Sequence, residues 1–253
     1  MDVYKEISLF FNEPLNQVKN KCREAHFRLH RLWKEASPKS EKHRNIWYKT
    51  TDAQIYEQAN WHQGHLSKRR EIAEKASGEI LCFGSGIGTE GIMAAEMGKN
   101  LTFYDLPGLT YNFLKFRVSL RNLKNVKFIE KELAEKKRES QIYYEGEDFG
   151  MYDTIICIDV LEHLEHPQEM LNFLSKHLKS EGIILISAPF KALEYFSHLP
   201  QNKNLDIHKM MKKAGIKRFK SDILESENVS LNVFETFLRF LQESFYKIKF
   251  VFS

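Results

Sequence analysis

The sequence predicts an α/β fold: a largely parallel sheet with helices on both faces, preceded by a helical extension. Three observations predict it. From Glu79 onward, short apolar runs alternate with helical segments, the order that builds parallel sheets. The first of these runs, Ile80-Leu81-Cys82-Phe83, breaks into glycines at alternate positions, Gly84, Gly86 and Gly88. Before Glu79, apolar residues recur instead at three- and four-residue steps, the period of an amphipathic helix.

Taken in order, Val18, Cys22, Ala25, Leu29, Leu32, Trp33 and Ala36 define a helix over 16–36 that stops before Pro38. The polar stretch Pro38 to Asn45 reads as a linker or turn. A second helical region opens at Thr51, where Gln54 completes a capping-box pattern, and runs to Gly78 with a break at Gly64. Strands follow at 79–83, 101–104, 126–129, 153–158 and 182–187, with helices near 89–98, 110–122 and 167–179. The charged run Lys131 to Arg138 reads as a solvated helix face. The last part carries a helix at 206–214, a short strand from Ile216, a helix near 231–242 and a final strand over 247–252.

Composition narrows the function classes. The chain has 253 residues, enough for one domain with a substantial core or for a domain with an extension. Its 38 basic and 34 acidic residues leave a net charge of +4, with no basic stripe for a phosphate backbone, so nucleic acid is not an expected partner. Cys22, Cys82 and Cys157 are far apart without metal-ligand spacing and read as reduced core residues. No basic start leads into an apolar stretch, and no run reaches the length of a membrane span, so a soluble cytoplasmic protein is expected, with no membrane partner. The oligomeric state is not legible.

The chemistry is concentrated at strand ends. Glycines after the first strand let the chain turn sharply and a ligand approach the backbone. Asp105 ends the run Leu101-Thr102-Phe103-Tyr104, 19 positions beyond Gly86. A carboxylate there is placed to accept hydrogen bonds from both hydroxyls of a ribose, so the pair reads as a nucleoside-cofactor site. Gly86-Ile87-Gly88-Thr89-Glu90-Gly91 also satisfies the dinucleotide spacing G-x-G-x-x-G, which keeps a nicotinamide-dependent oxidoreductase open. However, the turn begins at Gly84, and in that register the third glycine position is Thr89.

Read as Gly84-x-Gly86-x-Gly88, the segment resembles motif I of class I S-adenosylmethionine-dependent methyltransferases. The fourth strand and its exit, Tyr152-Asp153-Thr154-Ile155-Ile156-Cys157-Ile158-Asp159-Val160-Leu161-Glu162-His163-Leu164, look like the corresponding motif in the branch that includes ubiquinone-biosynthesis methyltransferases. The resemblance spans about residues 80–216 and implies a Rossmann-like seven-stranded methyltransferase sheet. It divides the chain into a helical cap or lid over 1–78 and an S-adenosyl-L-methionine-binding domain over 79–253. The implied cofactor residues are Phe83, Gly84, Ser85, Gly86 and Gly88 at the turn, Asp105 with Leu106 at the ribose, Glu132 with Leu133 at the adenine, and Asp159 with Val160 after the fourth strand. One position departs from the family: Cys82 stands two residues before the first glycine, where an acid usually helps hold the methionine end.

The implied reaction is in-line methyl transfer to a small-molecule acceptor, by oxygen, nitrogen or carbon. A base is needed where the acceptor must lose a proton. His163 and His198 are the candidate catalytic bases; the competing readings are a helix-capping role for His163 and an exposed loop position for His198. Tyr56, Trp61 and His62 are candidates for a lid against substrate, the alternative being a helix that packs its aromatics on the sheet. His163, Glu165, His166 and His198 show no paired ligand spacing, so no metal is expected. A non-catalytic cofactor-binding partner protein is the third reading, motivated by Cys82.

Overall fold

The computed structural model describes residues 2–130, 132–138, 141–145, 149–191 and 197–221. Among these described residues, six strands form a parallel sheet in the order β3-β2-β1-β6-β7-β8: β1 (Glu79–Phe83), β2 (Asn100–Tyr104), β3 (Val126–Phe128), β6 (Tyr152–Ile158), β7 (Leu178–Ser187) and β8 (Phe219–Lys220). The order reverses between β1 and β6, and in such sheets ligands enter the crevice beyond the C-terminal strand ends at that reversal. Helices α6 (Thr89–Glu96), α7 (Leu109–Leu120) and α8 (Pro167–Lys176) connect the strands, and α9 (Ile207–Lys213) precedes β8. The runs Leu81-Cys82-Phe83 and Ile155-Ile156-Cys157 are buried throughout, as strands covered on both faces must be.

The N-terminal extension is α1 (Val3–Phe11), α2 (Leu15–Ala36), α3 (Glu41–Thr50), α4 (Ala53–Gly64) and α5 (Leu66–Lys75). Val3, Ile7, Val18, Cys22, Ala25, Ile55 and Tyr56 make a shared core with Ile87 and with Phe113 of α7. Residues 1–223 form one compact unit, so the change from helices to strands near residue 78 does not separate two bodies. Glu6 of α1 is fully buried and pairs with Arg117 Nε at 2.8 Å and with Arg121 of the α7 region.

Three features depart from the sequence reading. Pro38 to Asn45 is not a linker, because α3 begins at Glu41, capped by Ser40 Oγ on the His43 N–H at 3.3 Å. Its one buried residue is Arg44, so the hydrophobic period that signals a helix is missing there. Within the charged run, 134–138 is not a helix: β4 (Ala134–Arg138) pairs antiparallel with β5 (Gln141–Glu145), whose Tyr144 is buried in the main core, and this tertiary contact overrides the helical composition. The capping box at Thr51 is also not formed; Thr51 Oγ1 accepts from the Ala53 N–H at 3.3 Å, and Asp52 occupies the cap position. The predicted helix near 231–242 and the seventh strand over 247–252 lie outside the described residues.

Candidate functional site

The turn after β1 is built by backbone conformation. Gly84 and Gly86 sit at φ +62° and +52°, and a Cβ on Gly84 would run into Val160, one on Gly86 into the Gln58 amide. Gln58 reaches down from α4, its Oε1 accepting from the Ile87 N–H at 2.9 Å. Phe83 is buried and stacks on Tyr104 at 5.1 Å between ring centroids. Ser85 Oγ is buried without a hydrogen-bond partner, and Gly88 precedes α6, whose free N–H groups point toward the turn.

Asp105, at the end of β2, closes over this turn. Its two oxygens accept from Gly86 N–H at 2.5 Å and Leu106 N–H at 2.7 Å. Burial pushes its carboxyl up to about 6, against those two hydrogen bonds, which favour the ionised form. Glu132 and Leu133 follow β3. Leu133 N–H donates to the Tyr104 hydroxyl at 3.0 Å, while Glu132 is exposed and paired with Lys49 of α3. The glycine cradle, the hydroxyl of Ser85 and the carboxylate of Asp105 at the sheet reversal fit an adenosyl cofactor.

The exit of β6 carries the second half of the site. Asp159 adopts φ +56°, a left-handed conformation rare outside glycine, which turns its carboxylate back toward the sheet edge. Ser187 Oγ donates to Asp159 Oδ1 at 2.9 Å, and Arg69 Nη2 of α5 stands 3.8 Å from Oδ2. Arg69 is 2 % exposed and pairs with Glu90 of α6. Val160, beside Gly84, completes the wall.

Just beyond, a short 3-10 turn, Leu161–His163, brings three groups together. His163 Nε2 and His198 Nε2 each lie 3.9 Å from Oε1 of the fully buried Glu162, and the imidazole centroids are 4.9 Å apart. His163 Nδ1–H donates to the Ser197 carbonyl at 3.0 Å, which leaves the lone pair on Nε2. Burial lowers the His163 pKa, so the ring is neutral near pH 7. The Glu162 backbone is held by Leu199 N–H at 3.0 Å and Asn202 Nδ2 at 3.2 Å. One donor atom from each of Glu162, His163 and His198 lies within 4.8 Å of the others, a set with the chemistry to hold a divalent ion. Of the residues weighed for a metal in the sequence, Glu165 is drawn instead to Arg44, and His166 stands at the N-cap of α8.

The three N-terminal lid candidates are employed elsewhere. Tyr56 is buried in the helical core, stacked on Phe11 at 5.6 Å with its hydroxyl donating to Glu13 at 3.1 Å. Trp61 is exposed and packs on His65 at 4.1 Å. His62 bonds through Nδ1 to Thr89 Oγ1 at 2.7 Å and lines a separate cavity of about 220 Å³ with Ile87 and Arg117; burial, then Arg69 and Arg117, hold its pKa well below the usual value. The segment that does reach the histidines is α3. Tyr48 Oη stands 3.5 Å from His163 Nδ1, Arg44 pairs with Glu165 and Lys49 with Glu132. The sequence reading missed α3, Gln58 and Arg69; an arginine on a helix otherwise patterned for burial was the one available signal for Arg69.

A parallel sheet with a glycine turn and an acid bonded across it at the reversal is the frame of a nucleoside-cofactor α/β domain. Within that class, the chain belongs to the methyltransferase-domain family, which it matches over residues 58–218. It is 27 % identical over 164 residues to a ubiquinone biosynthesis O-methyltransferase of Rickettsia bellii, covering 60 % of this chain and 62 % of that one. A Rickettsia akari protein of the same name is 28 % identical over 109 residues, covering 43 % and 39 %. The chain thus spans less than two thirds of the length of these relatives. Among solved structures, an O-methyltransferase family protein from Burkholderia thailandensis aligns at 16 % identity and a TM-score of 0.49, over 72 % of this chain and 57 % of that one.

Proposed function

We propose that this chain transfers the methyl group of S-adenosyl-L-methionine to a small-molecule acceptor. The observation that carries this reading is the Gly84–Gly88 turn with the Asp105 carboxylate bonded across it, at the reversal of a parallel sheet. When bound, the cofactor supplies a methyl group already activated by its sulfonium. The protein's own work is then to hold, orient and desolvate the reactants, and to take one proton from a hydroxyl acceptor. Asp105 binds the ribose hydroxyls with Leu106 beside it, Leu133 flanks the adenine, and the turn from Phe83 to Gly88 lies along the remainder. His163 Nε2 takes the acceptor proton, with Nδ1–H held by the Ser197 carbonyl and the Glu162 carboxylate available to stabilise the imidazolium formed. His198 lines the acceptor side.

The relatives' name, O-methyltransferase, favours an oxygen acceptor as the first class to assay. A divalent ion held by Glu162, His163 and His198, polarising that oxygen, is a second reading favoured by their 4.8 Å clustering. Calorimetric titration with S-adenosylmethionine, S-adenosylhomocysteine and NADH tests the cofactor. Binding of the two adenosyl ligands alone is expected. Binding of NADH alone would replace this reading with the oxidoreductase, and retained adenosyl binding without turnover on any acceptor would favour a non-catalytic partner. Turnover insensitive to EDTA supports the base; turnover lost to EDTA and restored by added metal supports the ion.

A further inference from the structure

Cys82 stands where the motif this segment resembles usually has an acid, and the structure shows what that position contributes. The thiol is buried behind α6, and burial together with the charge of Glu90 keeps it protonated, so no charge comes from β1. Charge is supplied from outside the glycine motif. Glu90 of α6 and Asp159 after β6 flank the guanidinium of Arg69, and the charges of Asp159 and Arg69 both act on Glu57 of α4. Glu90 is matched by Arg69 Nη1, whereas Asp159 lies 3.8 Å from Nη2, beyond hydrogen-bond reach, and keeps 30 % of its side-chain surface open. Among the described residues, Asp159 and Glu57 are therefore left without a cation in hydrogen-bonded contact. Burial and the charge of Asp159 push Glu57 up to about 7, against the pull of Arg69, as expected of acids gathered without enough cations.

A second observation points to the opposite charge. Arg69 is almost fully buried, yet its Nε and Nη2 have no hydrogen-bond partner, an arrangement that costs stability unless a ligand brings acceptors. Unused donors beside under-neutralised carboxylates are complementary to a zwitterion. The location agrees, because Val160, next to Asp159, touches Gly84, and Gln58, next to Glu57, bonds the Ile87 N–H.

We propose that Glu57, Asp159 and Arg69 hold the amino-acid end of the cofactor, the two carboxylates taking its ammonium group and the unused donors of Arg69 its carboxylate, in place of the missing β1 acid. This rests on the cofactor reading above and deepens it. The test compares S-adenosylhomocysteine with 5′-methylthioadenosine, which shares the nucleoside and lacks the amino-acid end, by calorimetry on the wild type, Glu57→Gln and Asp159→Asn. Each variant is expected to weaken S-adenosylhomocysteine by about 10-fold or more while leaving methylthioadenosine unchanged. Arg69→Met is expected to do the same; should it unfold, the two near-isosteric acid variants still decide. Unchanged S-adenosylhomocysteine binding in both acid variants overturns the assignment, as does equal weakening of both ligands. Silence of both ligands on the wild type overturns the cofactor reading itself, and this one with it.

Discussion

Asp105→Asn separates the charge of the ribose acid from its shape. In the ligand-free protein, Asp105 bonds two backbone N–H groups and is nevertheless pushed up from 3.8 to about 6 by burial. That displacement corresponds to about 3 kcal/mol, which partial opening to the cleft reduces to about 1–2 kcal/mol. The sign follows from proton binding. The folded state holds the Asp105 proton more tightly than the unfolded chain, so this residue costs stability above pH 6, and the cost disappears as pH falls from 6 to 4. Cofactor binding runs the other way. The ionised carboxylate is the stronger acceptor for ribose hydroxyls, so S-adenosylhomocysteine affinity should be level above pH 6 and fall below it, by at most about tenfold per pH unit. Asp105→Asn should weaken binding at pH 7.5 by about 10- to 100-fold through lost charge-assisted hydrogen bonds, and should flatten the profile between pH 5 and 7. Calorimetry across that range measures both. Wild-type affinity at pH 7.5, or an undiminished acid-side slope in the variant, would refute the ribose role.

Two further outcomes are expected. His163→Asn should leave adenosyl-ligand affinity intact while cutting turnover by about 10²–10⁴-fold on a hydroxyl acceptor; an unaltered rate in a methyl-transfer assay removes His163 as the base. Glu6→Ala should destabilise the fold by about 3–5 kcal/mol, because Arg117 and Arg121 lose their buried partner. A denaturant midpoint equal to that of the wild type would show that α1 is not an anchor of the α7 face.

The sheet and half of the site were legible because their signals are local. An apolar run ending in alternate glycines, an acid closing the next run, and the exit Asp159-Val160 each depend on neighbours within a few residues, and the order of elements then places all three on one edge. The helix α3 was hidden because its inward face is an arginine and two aromatics, which carry no apolar period. Residues 134–138 of the charged run were misread because the pairing of β4 with β5 is decided by where Tyr144 is buried, not by the helical preference of Lys and Glu. Tyr56 and His62 look like site residues in one dimension, since an aromatic and a histidine just before a cofactor domain are what a lid requires. Which way α4 turned them depended on the core shared with α1, α2 and α7. The coupling of Glu57, Arg69, Glu90 and Asp159 was likewise beyond the chain's one-dimensional pattern: the four come from α4, α5, α6 and the end of β6, and only packing sets how many carboxylates act on one guanidinium. Local periodicity and turn chemistry thus specify which elements form and where the glycine turn opens. The balance of charge inside that opening is a sum over distant segments, and only the tertiary structure performs it.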